Sequence, residues 1–158
     1  MEKPGLVQIA ASLALFVREN NTLLMIRRKC NPYKDKLAFP GGFLELGKED
    51  IFQTVVREFY KETGACVEKD QISLLDIRSS PSRDSRGHVI DVGFLCIVPK
   101  PIVILESTDE TCPVWVTIDE INPDDLAFDH KEMFEVAKSR IKNCIYNETL
   151  MLAPVFEP

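Results

Sequence analysis

The sequence predicts an α/β protein, a mixed β-sheet flanked by helices, from three observations. Apolar, β-branched runs of strand length recur along the chain, they outnumber the segments with helical periodicity, and they separate those helical segments. Residues 7–18 (VQIAASLALFVR) are the first such run and end in a polar turn at Glu19, Asn20 and Asn21. LLMIRR at 23–28 resumes as a partner strand, so the chain opens with a hairpin. Asn31, Pro32 and the lysines around Tyr33 make a loop, and Leu37 to Phe39 form a short strand stopped by Pro40, Gly41 and Gly42.

The helical signal begins after Gly47. Asp50 is the expected N-cap with Gln53 as its capping-box partner, and Gly64 closes the helix. Phe52, Val55, Phe59 and Thr63 recur at helical spacing as a buried stripe, while Thr54, Glu58, Lys61 and Glu62 fall on another face. Further strands are expected at 72–78, 88–98 and 113–117, separated by polar loops at 79–87 and 106–112. A last helix from Lys131 to about Asn143 turns Phe134, Ala137 and Ile141 inward. No repeat, linker-like tract or low-complexity segment interrupts this order, so residues 1–158 read as a single domain with 146–158 as a candidate C-terminal tail. The last residues, LMLAPVFEP, read equally as a tail or a packed strand.

Composition limits the partners. The chain has 158 residues, 45% hydrophobic and 28% charged, as in a soluble globular protein with one core. Its formal charge of -6 repels nucleic acid phosphates and anionic membranes, so neither is an expected partner, and an anionic substrate needs a bridging cation or clustered arginines. Five scattered cysteines form no CxxC or Cys-His tract and suit free thiols in a reducing cytoplasm. No leader-like start and no run of membrane-spanning length is present, so a cytoplasmic location is expected.

The segment Gly41 to Ala65, GGFLELGKEDIFQTVVREFYKETGA, concentrates acids. Glu58 and Glu62 are four residues apart and therefore stack one turn above the other on the helix. Their repulsion favours a cation between them, and oxygen donors select Mg²⁺ or Mn²⁺. Glu49 reaches the same edge if the preceding loop folds back, Glu45 is a further candidate, and Arg57 can orient a ligand carboxylate through a bidentate pair. Spacing alone is equally the pattern of an ordinary amphipathic helix with solvent-facing acids.

The whole pattern resembles the Nudix box of the Nudix hydrolase superfamily: glycine, five residues, glutamate, seven residues, then Arg-Glu-U-x-Glu-Glu-x-Gly-U, with U aliphatic or aromatic. Gly42 matches the opening glycine, Glu49 the first glutamate, Arg57-Glu58-Phe59-Tyr60 the next portion, and Glu62-Thr63-Gly64-Ala65 the remainder. Two departures stand out. Six residues rather than five separate Gly42 from Glu49, the extra one being assigned to Lys48, and Lys61 replaces the first glutamate of the pair. Beyond the box, 31–42, 82–89, Trp115 with 118–121, and 126–130 are similar to segments of the ADP-ribose pyrophosphatase branch.

The resemblance implies a Nudix-type α/β/α sandwich, a divalent cation (Mg²⁺, with Mn²⁺ as the alternative) held chiefly by Glu58 and Glu62 with Glu49 assisting, and a homodimer. It implies hydrolysis of the pyrophosphate bond of ADP-ribose or a related nucleoside diphosphate-linked small molecule by cation-activated water. Glu58, Glu62 and Arg57 are the expected catalytic group. Glu110 is the expected general base, with Glu106 and Asp109 as rivals. Arg28, Arg83 and Arg86, and less so Arg27 and Arg78, are candidate phosphate contacts; Tyr33, Phe43 and Tyr60 are candidates to stack on a base. His88 and Trp115 read as structural. Two other functions stay open: hydrolysis of modified nucleoside triphosphates, and a catalytically weak domain that senses an NAD-related metabolite, which Lys61 favours.

Overall fold

The computed structural model describes residues 5–105 and 108–152. β1 (Gln8–Val17) and β2 (Thr22–Arg28) form the expected antiparallel hairpin, with Leu15 opposite Leu24. β3 (Leu37–Ala38) and β4 (Gly41–Phe43) follow, then α1 (Ile51–Thr63), β5 (Ile72–Arg78), β6 (Val89–Val98), β7 (Thr111–Thr117) and α2 (His130–Leu152). The sheet runs β3-β2-β1-β6-β5, with β7 added on β2 and β4 on β1. β6 lies parallel to β1 along its whole length while the other pairs are antiparallel, so the sheet is mixed as expected.

The hairpin splays, and the splay opens the cavity described below. β2 pairs with β1 only over 22–24, then takes β3 as its partner at Ile26 and Arg27. β1 takes β4 over Ala10–Ser12. Gly41 and Gly42 thus lie inside a strand, whereas the sequence read them as the end of one. The reason is close approach: a Cβ on Gly41 would lie 2.2 Å from the Ala11 carbonyl oxygen, so a glycine that looks like a turn signal is what lets β4 press on β1.

Alternation along β1 builds two cores. Leu13 and Leu15 join Val55 and Phe59 of α1 on one face, while Ala14 and Phe16 join Met133, Phe134, Ala137 and Ile141 of α2 on the other. The result is an α/β/α sandwich. Burying Phe59 completely contributes about 2–3 kcal/mol by area removed from water. Both capping-box bonds at Asp50 and Gln53 are 2.8 Å, and Gly64 ends α1 in the left-handed conformation at φ 69°.

Three expectations need correction. On the polar face of α1, Thr54 and Glu58 are buried while Lys61 is exposed, so the reading of that face as solvent-facing acids does not hold for Glu58. β7 begins at Thr111, two residues before the expected strand. α2 runs to Leu152 rather than ending near Asn143, since nothing in its sequence stops it, and Arg18 of β1's end pairs with Glu148. The first part of the expected tail is therefore helical; residues 153–158 lie outside the described residues.

Candidate active site

A cavity of about 400 Å³ opens where β1 and β2 part, between α1, the 79–87 loop and the start of α2. Glu58, Glu62, Arg28, Arg83, Arg86, Phe43 and Glu110 all line it. Arg57, Glu49 and Tyr33 do not line it but support residues that do. Arg27, Arg78 and Tyr60 are elsewhere: Arg27 donates to the Asp35 carbonyl at 2.8 Å, Arg78 pairs with Asp129 at 3.1 Å, and Tyr60 is exposed. Glu106 lies outside the described residues.

The carboxylates of α1 occupy one end. The Gly41 N–H donates to Glu62 Oε2 at 2.9 Å, joining β4 to the helix. Burial pushes the Glu62 carboxyl up to about 8; that Gly41 bond opposes the rise and the neighbouring Glu58 adds to it. Glu58 is held on both oxygens, by Arg57 on Oε1 and by Lys61 at 3.6 Å from Oε2. Gly42 makes room for it, since a Cβ there would sit 2.5 Å from Glu58 Cδ.

Arg57 ties the loop before α1 to this carboxylate. Its Nε and Nη2 donate to the two oxygens of Glu49 at 2.8 and 2.7 Å, and Nη2 also donates to the Phe43 carbonyl at 3.0 Å. Glu49 accepts further bonds from Thr54 Oγ1 and the Glu45 N–H, both at 2.9 Å, and the Arg57 bonds hold its carboxyl down at about 2. This set of donors fixes the Glu49 carboxylate on Arg57, and Glu49 is not among the residues that line the cavity.

Guanidinium and aromatic groups form the other end. Arg86 is locked to Asp84 by bonds of 3.0 and 2.7 Å and stacks 4.9 Å from the Phe43 centroid and 5.2 Å from that of Phe128. Arg28 lies 5.0 Å from the Phe128 centroid, and Tyr33 backs the same ring at 4.8 Å. Burial, followed by the charge of Arg86, lowers the pKa of Arg28 from its usual value. Arg83 lines the cavity with its buried fork paired to Asp129 at 2.6 to 3.0 Å and to Asp91 at 3.5 Å. Asp91 also accepts from Ser12 Oγ at 2.9 Å, and burial raises its carboxyl to about 6. His130 Nδ1 accepts the Phe39 N–H at 3.1 Å, and burial lowers the ring to about 3, so the imidazole is neutral.

With this geometry in place, residues 7–137 match the sequence profile described as the NUDIX domain. The chain belongs to the Nudix family. It is 47% identical over 79 residues to the ADP-ribose pyrophosphatase of Methanocaldococcus jannaschii, a match covering 50% of this Nudix chain and 45% of that protein. It is 25% identical over 138 residues to the ADPR responsive transcriptional repressor NtrR of Acinetobacter baylyi, covering 85% of the chain and 54% of the repressor. These matches span about half the length of both curated relatives. The fold is shared with the NUDIX domain of Shewanella oneidensis NrtR, solved with ADP ribose, at a TM-score of 0.75 and 23% identity over 89% of this chain and 94% of that one.

Nudix hydrolases work with divalent cations, and the residues present fit one. Among the described residues no group of three or more His, Cys, Asp or Glu side chains converges as a ready-made cluster. Mg²⁺, however, is commonly held by one or two carboxylates with water and substrate oxygens completing its shell. Glu58 and Glu62, side by side in the lining of the cavity, would supply that pair. Glu110 lines the cavity next to Thr111. Phe128, Asp129 and Asp91 were not anticipated as parts of the site. Phe128 sits at φ 54°, and no local pattern shows that Asp129 meets an arginine of another loop.

Proposed function

We propose that this Nudix chain hydrolyses the pyrophosphate bond of ADP-ribose or a related nucleoside diphosphate derivative, with Mg²⁺ or Mn²⁺ held by Glu58 and Glu62. The observation that supports the reading is the single cavity that carries these carboxylates at one end and the Arg28, Arg86, Phe43 and Phe128 layer at the other. A diphosphate linking a nucleoside to a second group has the same polarity. The M. jannaschii relative carries that activity in its name, though only about half of its length is matched.

The cation supplies charge neutralisation at the phosphate oxygens and acidifies water. Glu58 and Glu62 would hold it, and Arg57, anchored by Glu49, keeps Glu58 at its post. Glu110, at the rim, takes the proton of the attacking water. Arg28 and Arg86 face the phosphates, and the Phe43 and Phe128 rings stack on the base. Arg83 fixes Asp129 and so the Phe128 turn beside it. The single domain works in the cytoplasm, as five free thiols suit, and as a homodimer.

A second reading, metabolite sensing without turnover, draws on one observation: Glu58 is already paired with both Arg57 and Lys61. Phosphate release coupled to a phosphatase, across ADP-ribose, other nucleotide sugars, dinucleoside polyphosphates and nucleoside triphosphates with Mg²⁺ or Mn²⁺, separates the readings. Turnover of a diphosphate-linked substrate supports hydrolysis; saturable binding with no turnover under either cation supports the sensor.

A further inference from the structure

Lys61 stands one turn after Glu58 and next to Glu62 in the chain, on the border of two spaces. It lines the main cavity together with Glu58 and Glu62. It also lines an adjoining cavity of about 210 Å³ with Glu62, Thr108, Asp109, Glu110 and Thr111. Its ammonium lies 3.6 Å from Glu58 Oε2.

We propose that Lys61 is a tethered cation of the site: it limits the carboxylate pair to a single divalent ion and offers its own ammonium to the phosphate chain from the side of the smaller cavity. The inference rests on the proposed diphosphate site. Charge counting leads to it. When both are ionised, Glu58 and Glu62 carry two negative charges and Lys61 returns one, the charge of Arg57 being balanced by Glu49, so a first divalent ion takes the group from negative to positive. A second would then enter against both that ion and the ammonium, with no third inward carboxylate on α1 to receive it. An ammonium that is more than half exposed keeps its mobility, so it can leave Glu58 for a phosphate oxygen when one arrives.

Two measurements on the full chain test this, and neither requires turnover. Mn²⁺ titration of chelator-stripped protein, with free ion followed by electron paramagnetic resonance and no nucleotide present, should give one site per chain for the wild type and two for Lys61→Glu. A wild-type count of none or of two or more, or a count that stays at one in Lys61→Glu, overturns the cation limit. Calorimetric binding of the α,β-methylene analogue of ADP-ribose with Mg²⁺ should weaken about tenfold in Lys61→Gln and recover in Lys61→Arg. Equal affinity in wild type and Lys61→Gln overturns the phosphate contact. A chain with one Mn²⁺ and no ADP-ribose hydrolysis would refute the hydrolase reading alone, and a hydrolase with two would refute this inference alone.

Discussion

Arg57 and Glu49 form a two-pronged ion pair, 2.8 Å through Nε and 2.7 Å through Nη2, that clamps the loop after β4 to the middle of α1. The same guanidinium holds Glu58, so the pair joins loop position to carboxylate position. Glu49→Gln or Arg57→Ala should therefore cost about 1–3 kcal/mol of stability in denaturant titrations, with a fall in kcat larger than any rise in KM. Arg57→Lys should recover stability better than rate, because one ammonium cannot bridge Glu49, Glu58 and the Phe43 carbonyl together. Equal kcat in Arg57→Ala would show that Glu58 needs no such support.

The two glycines of β4 should separate stability from activity. Gly41→Ala drives a methyl against the Ala11 carbonyl oxygen at 2.2 Å, a backbone collision, and should lower stability by about 2–4 kcal/mol. Gly42→Ala meets only the end of the Glu58 side chain at 2.5 Å. It should melt near the wild-type temperature while losing roughly tenfold or more in kcat. Thermal melts and steady-state rates on the same preparations distinguish the two, and a Gly42→Ala enzyme of full rate would sink the claim that Glu58 is positioned through this gap.

Without divalent cations, Glu62 should make stability fall with rising pH. Burial lifts its carboxyl from 4.5 to about 8, so between those values the folded chain keeps a proton that the unfolded chain has released. Proton binding then favours the folded state: the contribution is full below the unfolded value and is lost as pH rises through the folded one. Melting temperatures in chelator between pH 5 and pH 8.5 should decline less in Glu62→Gln, and added Mg²⁺ should flatten the wild-type slope by stabilising the ionised carboxylate. Identical slopes in wild type and variant would place the titration elsewhere.

The arginine and aromatic layer should govern affinity more than rate. Phe128→Ala removes the ring on which Arg28 and Arg86 both stack, and Arg86→Ala removes the group between Phe43 and Phe128. Each should raise KM for ADP-ribose about tenfold with a smaller change in kcat, since a contact made equally in ground and transition states acts on binding. A loss confined to kcat would assign these residues to the reacting end.

Much of this was legible because it is local. The Asp50 and Gln53 box, the Gly64 stop and the period of Val55 and Phe59 fix α1 within a few residues of chain, and the four-residue interval puts Glu58 and Glu62 on one side. The paired strand glycines were misread because glycine signals both a turn and a close approach, and only the position of Ala11 decides between them. The pairing of Arg83 with Asp129 is not legible because the two residues are 46 positions apart. That Arg57 takes both oxygens of Glu49 is likewise not legible, because it depends on the path of the loop. The end of α2 went unseen since continuation of a helix without a stop signal leaves no mark in the pattern.

The most direct measurement is phosphate release from ADP-ribose by wild type and Glu62→Gln at saturating Mg²⁺, with ligand affinity determined on the same samples. The account predicts turnover by the wild type, a fall of at least about a hundredfold in the variant, and retained nucleotide binding. A variant that hydrolyses ADP-ribose at the wild-type rate would contradict it.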